Sequence, residues 1–191
     1  LVEKIIVATS REKSDDPLYE YCYKHNINCH RGSLNNVLER YIELIDIYDP
    51  RYIVRVTGDC PLIFPDFIDK QITILVKNNA DCVWTNEDAP LLCGQGVLSS
   101  KSLKLIEKNS KNIKDLEHVG SFYLTSNPEL FKWVGIELPQ YLRDKRFRIT
   151  VDQKEDLKLM KQIYKNLWDG QKNIEFEEVI NWLIINKSEF K

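Results

Sequence analysis

The sequence predicts an α/β protein with a mostly parallel sheet that is covered by helices on both faces. Short apolar runs rich in β-branched residues alternate with longer segments whose apolar residues recur at helical spacing. Several helical segments open on residues that cap helices, and the strand-like runs stop at polar turns. Strands that alternate with helices favour parallel pairing, because a crossover helix returns the chain to the same end of the sheet.

The first half of the chain shows this alternation most clearly. A strand is predicted over 5–9, a helix opens at Asp15-Asp16-Pro17, and a second strand covers 27–30. Ser33 is predicted to cap the next helix. The apolar residues of that helix recur at helical spacing and are Val37, Leu38, Tyr41, Leu44, Ile45 and Tyr48.

The remaining elements are predicted from the same two patterns. The later strands are expected at 52–57, 80–85, 97–99, 133–138 and 146–151. The later helices are expected from about Pro65 and over 102–108, 115–125, 155–168 and 175–185. Ile184 is expected to be buried with the other apolar residues of the last helix. The length of 191 residues fits one domain over 1–191.

Composition and charge exclude several classes of protein. The formal net charge is −2 and the pI is near 6, so no broad basic face for nucleic acid is expected. No apolar run approaches the ~20 residues of a membrane-spanning helix. The five cysteines form no C-x-x-C pair and fit a reducing compartment, so a cytoplasmic location is expected.

Two aspartates follow strand-like runs and are the first candidates for a functional site. Asp59 comes just after the strand at 52–57, and Asp152 comes just after the predicted strand at 146–151. Ligands of open α/β sheets bind outside the carboxyl ends of the strands. Two carboxylates that converge there suit Mg²⁺, which also takes substrate phosphates and water as ligands. The alternative is that each aspartate merely caps the helix that follows it.

Three stretches carry a resemblance to a known family. They are I-V-A-T-S with H-R-G-S-L-N-N-V-L-E-R-Y over 6–10 and 30–41, Y-I-V-R-V-T-G-D-C-P-L-I-F-P-D-F-I-D over 52–69, and R-I-T-V-D-Q-K-E-D-L over 148–157. In order and spacing they resemble the cytidylyltransferase family that includes the spore coat polysaccharide biosynthesis F-type proteins, and more distantly the CMP-Kdo and CMP-sialate synthetases. The resemblance implies the α/β/α sandwich of nucleotide-diphospho-sugar transferases.

The same resemblance implies an activity and a set of site residues. The activity would be transfer of a cytidylyl group from CTP to a sugar, with Mg²⁺ as cofactor, for surface polysaccharide or glycoconjugate synthesis. Asp59 and Asp152 match the metal-binding and catalytic aspartates. The expected nucleotide-binding residues are Arg31, Gly32, Ser33, Asn36 and Arg40. The expected contacts of the other substrate are Glu117, His118 and Arg148.

The chain departs from the family pattern in two places. The family's first strand and its triphosphate-gripping loop are expected before Leu1, so the chain is interpreted as truncated at its N-terminus. On the sugar side, Leu116 stands where the family tends to have an arginine before Glu-His-Val. His118 is either a substrate contact or a helix histidine bonded to a neighbour.

Two alternative functions stay open at this point. One is a glycosyltransferase of similar fold that uses a nucleotide sugar, and the other is a non-catalytic relative that acts as a binding subunit. The expected partners are CTP and a sugar, with no nucleic acid and no membrane, and a homodimer is left open.

Overall fold

Strands and helices alternate through the first half of the chain as predicted. The computed structural model describes residues 1–85, 95–143, 146–147 and 149–186. The strands are β1 (Val7–Ser10), β2 (Cys29–Gly32), β3 (Tyr52–Val56), β4 (Cys82–Thr85), β5 (Gln95–Ser99) and β6 (Trp133–Ile136). The helices are α1 (Asp16–Lys24), α2 (Val37–Tyr48), α3 (Pro65–Asn78), α4 (Ser100–Asn109), α5 (Ile113–Glu117), α6 (Ser121–Ser126), α7 (Lys154–Leu167) and α8 (Phe176–Asn186).

The described strands form two sheets, and the pairing is only partly parallel. β1 and β2 pair in parallel, with Val7 opposite Cys29. The second sheet has the order β3-β5-β4-β6, and its β4 and β5 are antiparallel. Only residues 86–94 separate β4 from β5, whereas a parallel crossover needs about a dozen residues or more. The α/β class is therefore confirmed, with an antiparallel pair that the alternation pattern did not reveal.

The chain divides into two compact units. The first unit contains Leu1–Ile53, Ile72–Val83 and Val97–Val134. In it, α2 packs against α4 and α5. The apolar faces of α2 and α4, whose large aliphatic residues recur at helical spacing, join residues of β4 and of the 119–131 segment in one buried cluster. Its members are Leu38, Ile45, Cys82, Leu103, Ile106, Val119, Leu124 and Phe131.

The second unit contains Val54–Gln71, Trp84–Gly96 and Gly135–Lys191. In it, α7 packs against α8, and the Phe64 and Phe176 rings meet edge to face with centroids 4.4 Å apart. Leu183 is buried as predicted, but Ile184 is 44% exposed, so the prediction for Ile184 was wrong. Successive helical residues are rotated by about 100°, which turns Ile184 away from the face that Leu183 buries.

Two further findings bear on the expected environment of the chain. Cys22, Cys29, Cys60 and Cys82 are free thiols, and Cys93 lies outside the described residues. None of the helices within the described residues combines the length and the apolar character that crossing a bilayer requires.

Candidate active site

The two aspartates predicted to bind a metal lie close together in the second unit. The main-chain N–H of Val151 donates to the carbonyl oxygen of Asp59 at 2.7 Å, which holds the residue before Asp152 against Asp59. Residues joined by one such hydrogen bond have Cα atoms about 6 Å apart at most, and chain neighbours add about 3.8 Å. The Cα atoms of Asp59 and Asp152, which we call the acidic pair, are therefore within about 10 Å of each other.

Neither member of the acidic pair caps a helix, which was the alternative interpretation. α3 begins at Pro65, well beyond Asp59. At the start of α7 the N-cap is Gln153, and Asp156 Oδ2 accepts the main-chain N–H groups of Asp152 at 3.0 Å and Gln153 at 2.9 Å. Gln153 and Asp156 form the capping box of α7, so this helix is capped without the carboxylate of Asp152.

The surroundings of Asp59 favour its negative charge. Hydrogen bonding by the Thr57 side chain holds the pKa of Asp59 below its ordinary value, with smaller contributions from the Cys60 thiol and the Arg55 charge. Cys60 Sγ lies 3.6 Å from Asp59 Oδ1, and Thr57 Oγ1 lies 3.2 Å from the same sulfur. Asp59 is consequently an anion at neutral pH, as a ligand of a hard cation must be.

Asp152 follows an irregular segment and not the predicted strand. The described residues of 146–151 lie outside the strands of the structure, so that prediction was wrong. Ile149 and Thr150 are both buried, and Val151 connects the segment to Asp59 through its main-chain hydrogen bond. Thr150 Oγ1 donates to Asp152 Oδ2 at 3.1 Å and so orients this carboxylate.

The donor set of the acidic pair fits a magnesium ion. Mg²⁺ binds oxygen ligands, is usually held by one or two carboxylates, and completes its coordination with water and phosphate oxygens. The structure describes no group of three or more His, Cys, Asp or Glu side chains that could hold a metal. If Mg²⁺ binds here, the carboxylates of Asp59 and Asp152 would supply the protein ligands.

The predicted nucleotide-binding residues lie in the first unit, on residues 31–40. This stretch, which we call the 31–40 segment, runs from the end of β2 into the first turn of α2. Arg31 lies in β2, opposite Thr9 of β1, and its guanidinium points toward the loop after β1. Its Nε donates to the Ser10 carbonyl at 2.8 Å, and its Nη2 donates to the Glu12 carbonyl at 2.9 Å. Nη2 also lies 2.8 Å from Asp16 Oδ1. Arg31 thus fixes the loop between β1 and α1.

Arg40 plays a similar part at the other end of the segment. It is 9% exposed, and its guanidinium donates to the carbonyl oxygens of Ser33 at 2.5 Å, Leu34 at 3.1 Å and Ala8 at 3.2 Å. Gly32 makes room for it, because a Cβ at Gly32 would lie 2.7 Å from Arg40 Cγ. Gly32 and Arg40 therefore shape the 33–34 loop, whatever else they contact.

The cap of α2 is Asn36 and not Ser33, so that prediction was wrong by one turn. The Asn36 side chain accepts the Glu39 N–H at 3.1 Å. Ser33 Oγ instead accepts the Asn36 N–H at 3.1 Å, which makes a local turn in front of the helix. Serine and asparagine are both common at the N-cap, and the bond from the Glu39 N–H identifies Asn36 as the cap.

A polar cluster at the end of β1 escaped the sequence analysis. Asp15 Oδ2 accepts hydrogen bonds from Thr9 Oγ1 at 2.8 Å, Ser10 Oγ at 2.6 Å and Ser10 N at 3.0 Å. These bonds, above all the one from the Ser10 hydroxyl, lower the pKa of Asp15 to about 2. Asp15 was predicted near a helix cap. It is the N-cap residue of α1 by position, but its side chain makes no capping bond there.

The predicted helix over 115–125 is two short helices, and the break falls beside Glu117 and His118. α5 ends at Glu117 and α6 begins at Ser121. Val119 and Gly120 between them have φ values of +55° and +76°, which no α-helix accommodates. Both Glu117 and His118 are exposed in the first unit. Arg148, the other predicted substrate contact, lies outside the described residues.

Comparison with known proteins identifies the family. A family model described as cytidylyltransferase matches residues 1–181. The chain belongs to the cytidylyltransferase family. Among curated proteins it is 36% identical over 182 residues to the uncharacterized protein MJ1063 of Methanocaldococcus jannaschii, covering 95% of this chain and 73% of that protein. It is 30% identical over 164 residues to the spore coat polysaccharide biosynthesis protein SpsF of Bacillus subtilis, covering 85% and 68% respectively.

A solved structure supports the fold. The structure of a cytidylyltransferase from Leptospira borgpetersenii superposes with a TM-score of 0.82 at 24% identity, covering 97% of this chain and 77% of that one. The family resemblance and the fold expected from the sequence are thereby confirmed. Membership of the family makes the protein a nucleotidyltransferase, the first of the three functions considered above.

Proposed function

We propose that this cytidylyltransferase-family protein transfers the cytidylyl group of CTP to a sugar hydroxyl with the help of Mg²⁺. The observation that carries the proposal is the hydrogen bond from Val151 N–H to the Asp59 carbonyl, because it brings two non-capping aspartates together. The name of the Bacillus subtilis relative further suggests that the product feeds the synthesis of a surface polysaccharide.

The acidic pair has a defined part in this chemistry. Two carboxylates repel a triphosphate unless a cation lies between them, so the acidic pair makes nucleotide binding depend on a divalent ion. When bound, Mg²⁺ would neutralise charge on the phosphates and orient the leaving pyrophosphate. Thr57 and Thr150 keep the two carboxylates oriented and Asp59 ionised.

The 31–40 segment has a supporting part. Its guanidinium groups donate to main-chain carbonyls, so Arg31 and Arg40 fix the path of the loop. The exposed positions of that loop are Leu34 and Asn35. In this proposal the loop presents main-chain groups and the Asn36 side chain to the nucleoside, while the arginines add positive charge nearby.

The experiment measures both base choice and product. Thermal unfolding is followed with Mg²⁺ and each of CTP, ATP, GTP and UTP, and pyrophosphate release is followed with glucose, N-acetylglucosamine, N-acetylneuraminate and Kdo. We expect CTP to protect best, since a tenfold tighter binding is worth about 1.4 kcal/mol of stabilisation. We also expect pyrophosphate release with at least one sugar.

Other outcomes of this experiment would contradict the proposal. Equal protection by the four nucleotides would remove the assignment to CTP. Cleavage of a nucleotide sugar with release of CMP, and no pyrophosphate from CTP, would point to a glycosyltransferase. Turnover that survives complete chelation of Mg²⁺ by EDTA would contradict the proposed role of the metal.

A further inference from the structure

The turn at 118–120 between α5 and α6 adopts a backbone that its sequence disfavours. Val119 has φ = +55°, although its β-branched side chain makes the left-handed region costly. The next residue, Gly120, has φ = +76° and tolerates it. Residues kept in such conformations persist only where surrounding contacts hold them, and they concentrate at functional sites.

The buried carboxylate of Asp115 supplies the contacts that hold this turn. Asp115 is 2% exposed. Its Oδ2 accepts the Ser110 hydroxyl at 2.6 Å, and its Oδ1 accepts the Tyr123 N–H at 2.7 Å, on the far side of the turn. Its carbonyl oxygen accepts the Gly120 N–H at 2.8 Å. One residue therefore connects the end of α4, the turn and the start of α6.

Packing closes the turn from the other side. Val119 is 2% exposed and belongs to the buried cluster of the first unit. Gly120 lies against Ile106, since a Cβ at Gly120 would come within 2.5 Å of Ile106 Cγ2. The buried residues thus leave the neighbouring Glu117 and His118 on the surface. The His118 ring lies 5.6 Å from the Phe122 ring, centroid to centroid.

We propose that Asp115 is a positioning residue, which fixes the turn at 118–120 so that Glu117 and His118 meet the acceptor sugar. This inference rests on the proposed cytidylyl transfer. The chemistry of the two exposed side chains favours the sugar over the nucleotide. A carboxylate repels a triphosphate but accepts hydrogen bonds from hydroxyl groups, and an imidazole can donate to or accept from a hydroxyl.

The test compares two aspartates that make the same kinds of bond. Asp81, also in the first unit, accepts one serine hydroxyl (Ser99 Oγ, 2.7 Å) and one main-chain N–H (Lys132, 3.0 Å). Each aspartate thus binds one serine hydroxyl and one main-chain N–H. Substitution by asparagine removes the negative charge and replaces one of the two acceptor oxygens by an NH₂ group in both variants. Asp81 makes no contact with the turn among its described bonds, so Asp81→Asn controls for general loss of stability.

The first readout does not depend on activity. Proton NMR resolves the ring signals of the three histidines, and His118→Gln assigns that of His118. Each of the four sugars is titrated at millimolar concentration in the presence of CTP and Mg²⁺. We expect one sugar to shift the His118 signal in the wild type and in Asp81→Asn. The same sugar should bind Asp115→Asn at least tenfold more weakly.

The second readout is kinetic. With a sugar that is turned over, KM for the sugar should rise at least tenfold in Asp115→Asn, while KM for CTP stays within twofold. If Asp115→Asn does not fold, Ser110→Ala removes one donor to the carboxylate and should give a smaller effect in the same direction.

The outcomes separate this inference from the proposed function. Equal sugar affinity in Asp115→Asn and Asp81→Asn would overturn the positioning role, and so would the absence of any His118 shift in the wild type. A His118 shift that depends on Asp115, without pyrophosphate release from CTP, would overturn the proposed function and leave the sugar site standing.

Discussion

The 31–40 segment and the acidic pair use charged residues in opposite ways. In the segment, Arg31 and Arg40 donate to main-chain carbonyl oxygens, so their side chains hold the fold together. At the acidic pair the main chain makes the connection through Val151, and neither carboxylate is needed to cap a helix. Charged residues near strand ends can thus serve either structure or chemistry. Substitutions should divide in the same way, into losses of stability and losses of turnover.

The largest expected effect is the loss of turnover when the acidic pair is neutralised. Asp59→Asn and Asp152→Asn should each lower kcat/KM by about a thousandfold or more, or about 4 kcal/mol of transition-state stabilisation. The reason is that each amide has lost the charge that binds a cation. Pyrophosphate release with CTP, Mg²⁺ and the best sugar measures the effect, and urea unfolding measures stability.

Asp156→Asn is the matched control for this prediction. It alters the carboxylate that accepts the N–H groups of Asp152 and Gln153 in the capping box of α7, and should cost about 1 kcal/mol of stability while turnover persists. Wild-type turnover in either Asp59→Asn or Asp152→Asn would end the case for a two-carboxylate metal site. A comparable loss of turnover in Asp156→Asn would show that the start of α7 matters more than the charge at Asp152.

The next effect concerns the structural half of the comparison. Gly32→Ala should destabilise the protein by about 1–3 kcal/mol, because the new Cβ would lie 2.7 Å from Arg40 Cγ in a closely packed site. Gly58→Ala, beside Asp59, is the control, since a Cβ there meets no atom within 4 Å. Urea unfolding should show the loss for Gly32→Ala and little change for Gly58→Ala. Equal stability of the two variants would mean that Arg40 moves aside at little cost.

The sequence predicts the regular elements well because they depend on local periodicity. β3 begins at Tyr52, where the run of β-branched residues predicts a strand. α3 begins at Pro65, where apolar residues start to recur at helical spacing. Asp59 was also identified correctly as lying beyond a strand end. Whether the site residues act as expected stays a prediction that the experiments above test.

The errors arise where distant residues decide the local structure. The break at Val119 exists because Asp115 and Ile106 hold it, and a valine gives no sign of a left-handed backbone. The segment 146–151 alternates like a strand, but its described residues lie outside the strands, and Val151 bonds to Asp59, which is far away in the sequence. The Asp15 carboxylate likewise accepts hydrogen bonds from Thr9 and Ser10 at the end of β1. The N-cap preference of aspartate in the sequence gives no indication of these bonds.

The smallest expected effect is a pH dependence that comes from Asp15. Its pKa is lowered from 3.8 to about 2, chiefly by the Ser10 hydroxyl. A carboxyl group whose pKa is lower in the folded state stabilises the fold above its unfolded pKa, and this contribution is lost as the pH falls through the folded pKa. Asp15→Asn should therefore be less stable than the wild type at pH 7. The difference should shrink between about pH 4 and pH 2.

Urea unfolding of the wild type and Asp15→Asn at pH 7, 4, 3 and 2.5 measures this difference. Thr9→Val removes one of the donors to Asp15 and leaves the carboxylate, so its effect should be smaller and follow the same pH window. The end of β1 would then resemble the 31–40 segment, where charge serves the fold. A difference that does not change with pH would show that Asp15 acts through the shape of its side chain, and that this cluster stabilises the loop without its charge.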